Sequence, residues 1–223
     1  MMSDAKLLRR GGIVLLAALL LGFAALSLWH GLRIAWSDAN SLPARWTLSQ
    51  WRDGQSKPPP LALWIQTRDD LLRAAQLTPD NPQLQEDLAY WYASRAQAMG
   101  WPKMGSEEEA LRQSLLKDAI DNYRVASVLR PTFPYSWTYI ALAKHLQGNQ
   151  DAEFWHAFDK ALQYGIYEAG VQPTLAQLAF AQGNSLNPQR QQLILTMFTS
   201  SQGVPRQRLA ALIKKNGVTV PGF

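Results

Sequence analysis

The chain has 223 residues, no cysteine, three histidines and 17% charged residues, with a net charge of +5. The missing cysteines exclude disulfides, thiolate metal sites, cysteine nucleophiles and a lipoprotein anchor, and three histidines leave little for a metal centre. Lys6, Arg9 and Arg10 against Asp4 account for +2 of the charge, so only +3 is spread over the remainder. A nucleic-acid binder concentrates its basic residues on one face, and this chain does not.

From Gly11 to Leu32 there are 22 residues without a formal charge, counting His30 as neutral. A membrane span needs about 20 apolar residues at 1.5 Å rise each. Trp29 and Trp36 sit where an interfacial aromatic belt belongs, and Arg33 ends the uncharged run. Lys6, Arg9 and Arg10 before the run place the amino terminus in the cytoplasm. The rest then lies beyond the inner membrane, which in a bacterium is the periplasm. The reading is a basic cytoplasmic tail over 1–10 and an uncleaved anchor over 11–36. Two other readings compete: a cleaved signal peptide with Ser37-Asp38-Ala39 as a small-x-small site, and a buried core helix. The length of the apolar run and the bulk of Trp36 speak against cleavage, and the missing polar face speaks against a core helix. Residues 37–60 mix Asp, Asn, Ser and Gly and end in Pro58-Pro59-Pro60. That composition predicts a stiff extended spacer, with Trp46 and Trp51 either on the later domain or at the bilayer surface.

From Leu61 onward, Ala, Leu, Gln and aromatic residues recur at helical spacing with prolines between the segments. Helices are predicted over about 61–77, 82–99, 107–129, 134–147, 151–163, 172–183, 188–201 and 205–215, in a domain spanning 61–216 with a tail over 217–223. Ala119, Tyr123, Ala126 and Pro131 are followed by Trp137, Ile140 and Ala141. One unit earlier, Leu71, Ala74 and Pro79 precede Gln85, Leu88, Ala89 and Tyr92 in the same register. Gly148-Asn149 and Gly183-Asn184 lie 35 residues apart, and Ile140-Ala141 maps onto Leu175-Ala176 at that offset. The pattern resembles the tetratricopeptide repeat, in which small residues let two antiparallel helices touch and a proline stops the second. An ordinary helical bundle is the competing reading. Lys144 and Gln85 depart from the pattern, standing where aromatic or large apolar residues are usual. The fold class is all-α: one amino-terminal transmembrane helix followed by a short tetratricopeptide-like solenoid.

One unit carries an insertion of 18 residues between Tyr92 and Ala119 relative to the repeat it resembles. Ser106 with Glu109 three residues later reads as a capping box, and Glu107 to Glu109 suit the positive end of a helix. Trp101 and Met104 are predicted at the tip of the inserted loop, as a partner or membrane contact or folded back over the helix pair.

Chemical motifs are absent: no GxxxxGK[ST], GxGxxG or HExxH occurs, and His145 and His156 are eleven residues apart, off the i,i+4 spacing of a helical metal pair. No serine lies in a nucleophile elbow. The chain reads as a non-enzyme with no cofactor and no metal. Trp91, Trp137 and Trp155 fit core packing better than sugar stacking. By resemblance to the repeat, the first helix of each unit lines a concave groove, which places Gln83, Glu86, Tyr90 and Ser94 there. Tyr135, Thr138, Leu142 and His145 follow from the next unit. Such a surface suits a protein segment, unless the terminal helices fill it.

The whole plan of one span, a proline-rich segment and a short repeat domain with the Leu77-Thr78-Pro79-Asp80-Asn81-Pro82 turn resembles the VpsP family of polysaccharide biosynthesis proteins. That resemblance implies an accessory scaffold in bacterial exopolysaccharide biosynthesis or export, inserted in the membrane, with protein partners and no nucleic acid. An adaptor for a pilus or secretion machine, or a sugar-binding periplasmic protein, is the alternative.

Overall fold

A computed structural model describes residues 2–52 and 59–220, with side chains from Gly11 onward. Among the described residues the order is α1 (Met2–Arg52), α2 (Leu61–Leu77), α3 (Pro82–Ala98), α4 (Glu107–Leu129), α5 (Pro134–Leu146), α6 (Ala152–Gly165), α7 (Gln172–Gln182), a 3-10 turn (Gly183–Ser185), α8 (Pro188–Ser200) and α9 (Gly203–Asn216). Four of the helices open on a proline in their first turn, where the missing N–H has no intrahelical acceptor to lose. Asn81, Ser106, Asp151 and Asn187 cap α3, α4, α6 and α8 through their side chains. At Ser106 only half of the expected box forms. Its Oγ accepts from the Glu109 N–H, while the Glu109 carboxylate turns to Gln113 instead.

The helices pair as antiparallel hairpins, α3 with α4 and α5 with α6, and successive pairs stack. Ala89, Ala119 and Ala141 are fully buried where helices cross, so the backbones meet closely. One core, around Leu71, Leu88, Trp91 and Leu116, fills the first half. A second, around Phe154, Phe158, Leu175 and Phe198, fills the other. α9 closes the array against α7, with Leu209 buried.

The expected spacer over 37–60 is corrected. α1 does not stop at Trp36 but continues to Arg52 and packs on α2 and α3 as the first helix of the array. Ser37, Ser41, Ala44 and Leu48, spaced four, three and four residues apart, are all buried. That is the stripe of a packed helix, built of small residues that let α2 approach. The serines hide their polarity locally. The Ser37 hydroxyl donates to the Ala74 carbonyl at 2.9 Å and lies 2.7 Å from the Thr78 hydroxyl. Pro43 interrupts one i→i−4 bond, but it lies on the exposed side, where water can satisfy the freed carbonyl of Ala39. Trp51 packs edge-on against Trp91 at 5.1 Å, while Trp46 stays exposed. The remainder of the expected spacer, 53–58, and the tail residues 221–223 lie outside the described residues.

The two departures from the repeat pattern have local causes. Gln85 donates to the Pro79 carbonyl at 3.4 Å, closing the preceding turn. Lys144 is buried and donates to Asp151 at 2.7 Å and Glu153 at 2.6 Å, while Arg124 from α4 holds Glu153 with two hydrogen bonds of 2.6 Å. This network ties α4, α5 and α6. The Arg124 hydrogen bonds first, and Lys144 after them, hold the Glu153 carboxyl at about 2. A depressed carboxyl stabilises the fold above its unfolded value of about 4.3, and that contribution fades as pH falls from there towards 2. Glu153→Gln is therefore expected to cost roughly 1–2 kcal/mol at pH 7, below the full linkage value because water screens the site. It should also flatten the acid limb of stability in urea melts between pH 4.5 and 2; an unchanged acid limb would contradict the network.

Candidate partner-binding groove

α3 and α5, joined by the Ser136–Glu86 hydrogen bond, both border an open groove. One lobe, about 390 Å³, is lined by Gln83, Glu86 and Tyr90 of α3, Tyr123 of α4, Tyr135 and Tyr139 of α5, together with Phe133 and Arg52. A second lobe of about 740 Å³ continues past Ser94 and Leu142 to Leu146. α8 and α9 pack on α6 and α7 and leave both lobes open.

The residues expected in the groove divide. Gln83, Glu86, Tyr90, Ser94, Tyr135 and Leu142 line it. Thr138 and His145 do not, which corrects the expectation for α5. Thr138 is fully buried and its hydroxyl donates to the Pro134 carbonyl at 2.8 Å. His145 turns toward α7, where Nδ1 lies 3.5 Å from the Gln182 amide, and burial lowers its pKa. The groove face of α5 is Tyr135, Tyr139, Leu142 and Leu146, rotated by part of a turn from the repeat-derived positions. A signal for this was present, because 135, 139, 142 and 146 form an all-apolar i, i+4, i+7, i+11 row. Arg52 and Phe133 had no such signal: one lies in the stretch read as a spacer, the other in a turn.

Aromatic rings build the wall. Tyr123 and Tyr139 stack at 5.6 Å, Tyr139 and Tyr135 meet at 6.5 Å, and Tyr135 stacks on Phe133 at 5.0 Å. Across from them, the Arg52 guanidinium lies 4.6 Å over the Tyr90 ring, a cation–π contact. The charges in the groove are internally matched. Glu86 is buried and accepts from the Ser136 hydroxyl at 2.8 Å and from Arg130. Asp87, behind Gln83, accepts from the Gln83 amide at 3.1 Å and pairs with Arg52 at 3.5 Å and Arg45 at 3.6 Å. Burial nonetheless outweighs these partners and raises its pKa.

Tyr135 leans over the turn before α7 and donates to Glu168 at 2.9 Å. It passes so close to Gly170 that a Cβ there would overlap the phenol, which explains a glycine at that position. Burial, then the Glu168 hydrogen bond and charge, push the Tyr135 phenol up to about 12. Burial also raises Tyr123 far above, and Tyr139 above, the ordinary value. The groove thus presents neutral phenols throughout the physiological range. They offer apolar faces with hydroxyls that both donate and accept.

The inserted loop is a separate feature. Trp101 is 76% and Met104 92% exposed at its tip, so Trp101 does not bury itself over the helix pair and touches α4 on one face only. Its ring is instead covered on one side by the Arg112 guanidinium at 4.4 Å. Of the tryptophans expected in the core, Trp91 is fully buried and donates to the Trp64 carbonyl at 3.0 Å, and Trp137 donates to the Pro131 carbonyl at 2.8 Å. Among the described residues no group of three His, Asp or Glu side chains is placed to hold a metal ion.

No protein-family model matches the chain, and no curated protein sequence does. Among solved structures, the chain is similar to the crystal structure of TTC0263, a thermophilic TPR protein of Thermus thermophilus. The TM-score is 0.57 at 16% identity, covering 81% of this chain and 80% of that one. The likeness establishes the fold as all-helical and tetratricopeptide-like.

The state of the phenols is directly measurable. In an alkaline titration followed by tyrosinate absorbance, Tyr135 should still be protonated at pH 11, and Glu168→Gln should bring its transition part of the way back toward 10. A Tyr135 transition at 10 in the parent chain would contradict the Glu168 contact.

Proposed function

We propose that this chain is a non-catalytic, membrane-anchored scaffold that holds a segment of a protein partner in the tyrosine-lined groove. In this reading residues 11–36 anchor the chain in a bacterial inner membrane, uncleaved. The basic residues before them stay in the cytoplasm and the helical array stands in the periplasm. Support comes from one helix, α1, being long and apolar enough to cross a membrane, with its apolar residues from Ile13 to Leu32 facing outward rather than into the array.

The groove is the observation that carries the partner reading. A wall of four neighbouring rings with matched charges beside it offers large apolar area, few unpaired charges and hydroxyls for orientation, the composition favoured at binding hot spots. The machine served is assigned by the resemblance of the whole-chain plan to the VpsP family, which points to exopolysaccharide assembly or export. A pilus or secretion machine would use the same groove in the same way.

The test is crosslinking in whole cells followed by recovery of the tagged full chain. Tyr90→Ala and Tyr135→Ala together should abolish recovery of a partner that the parent chain retains, with the helical content unchanged by circular dichroism. Unchanged recovery contradicts the groove. Binding of the purified chain to bacterial polysaccharide, lost in the same variant, would instead favour a sugar-binding role.

A further inference from the structure

We infer that Arg52 is the specificity-determining residue of the groove, binding an aspartate or glutamate side chain of the partner segment, with tyrosine hydroxyls completing the site. The inference rests on the groove holding a protein segment, as proposed above, and adds the charge that segment carries.

Arg52 is the last residue of α1. It borders both lobes of the groove and so stands where they join. Its side chain is half-exposed, and among the described residues the guanidinium makes one hydrogen bond, 3.5 Å long, to Asp87. A guanidinium fully paired with a carboxylate makes two parallel bonds of about 2.7–2.9 Å. Arg124 does so with Glu153, both at 2.6 Å, and Arg190 with Asp159 at 2.7 and 2.9 Å. Asp87 cannot do as much for Arg52. Its carboxylate is buried, and it also serves the Gln83 amide at 3.1 Å and Arg45 at 3.6 Å. Arg130, the other cation beside the cavity, is taken up by Glu86. Most of the five N–H donors of Arg52 therefore remain open to a ligand.

Neutral donors surround this cation. The Tyr90 ring lies 4.6 Å from the guanidinium carbon. Tyr123 and Tyr139 are near enough for the Arg52 charge to act on both phenols, opposing the effect of burial. Tyr135 gives its hydroxyl to Glu168. Among the described residues no hydrogen bond engages the hydroxyls of Tyr90, Tyr123 and Tyr139. One guanidinium and three phenols thus converge on the same cavity.

The charges decide between occupants. A basic side chain would meet Arg52 as a like charge, and the carboxylates it needs, Glu86 and Asp87, already have partners. An apolar side chain would strip water from the guanidinium and return no hydrogen bond, which is costly. A phosphorylated side chain would bring close to two negative charges to a single guanidinium beside Glu86 and Asp87. A carboxylate accepts from the guanidinium and from a phenol with one charge against one. Its apolar neighbours in the segment then lie on the rings of Tyr139, Tyr135 and Phe133.

The probe is a phage library of random peptides closed by a disulfide, so that only side chains supply charge, panned on the purified full chain. The chain has no cysteine to exchange with them. The parent should select peptides with Asp or Glu beside apolar or aromatic residues, and Arg52→Glu should select Lys or Arg in that place. By fluorescence anisotropy, Arg52→Gln should weaken the parent-selected peptide at least about ten-fold, with circular dichroism unchanged. Replacing the peptide's acidic residue by its amide should cost as much in the parent and almost nothing further in Arg52→Gln. Peptides selected without an acidic preference, or equal affinity for parent and Arg52→Gln, would overturn the Arg52 site. If those peptides are still lost in Tyr90→Ala with Tyr135→Ala, the groove stands and only its charge reading fails. No selected peptide, or binding indifferent to both sets of variants, fails the groove and the Arg52 site together.

Discussion

The packing of the second half of α1 on α2 and α3 is the contact on which the other features depend. Ser37 and Ser41 bury small polar side chains in a helix–helix seam, and Ala44 and Leu48 extend it. Burying a hydroxyl is tolerable only with a partner, and Ser37 finds one in the Ala74 carbonyl and the Thr78 hydroxyl. Because the helix is continuous, the apolar segment and the array share one rigid element with no spacer between them. The same helix delivers Arg52 to the groove rim and Trp51 to the core beside Trp91. One helix thereby carries both the apolar segment and part of the groove's lining.

The groove owes its character to what surrounds it. Glu86 and Asp87, buried carboxylates on consecutive residues of α3, would be costly without partners. Ser136, Arg130, Gln83, Arg52 and Arg45 supply them from α1, α3, α5 and the turn before α5. With those charges matched, the rings of Tyr123, Tyr135 and Tyr139 set the chemistry of the surface. Their phenols are protonated at neutral pH in any case, and burial pushes their titration further up.

Much of this architecture was legible in the sequence, for identifiable reasons. Prolines 82, 134 and 188 announce helix starts because a proline is harmless only in the first turn of a helix. Alanines 89, 141 and 176 announce helix crossings because nothing larger fits there. The continuation of α1 was hidden because Ser37, Asn40, Ser41 and Pro43 are residues of turns and linkers. Only the spacing of Ser37, Ser41, Ala44 and Leu48, four, three and four residues apart, marked a packed face. Tyr139 was missed because the groove face of α5 is rotated from the repeat-derived positions, with Thr138 turned inward onto the Pro134 carbonyl. Lys144 looked like a fault in the pattern until its acceptors, Asp151 and Glu153, were in place.

The continuity of α1 can be read from amide hydrogen exchange of the full chain in lipid nanodiscs. A packed helix predicts that amides 44–52 exchange as slowly as those of α3, since both open only with the array. Exchange of that segment at the rate of an unstructured peptide would contradict the account.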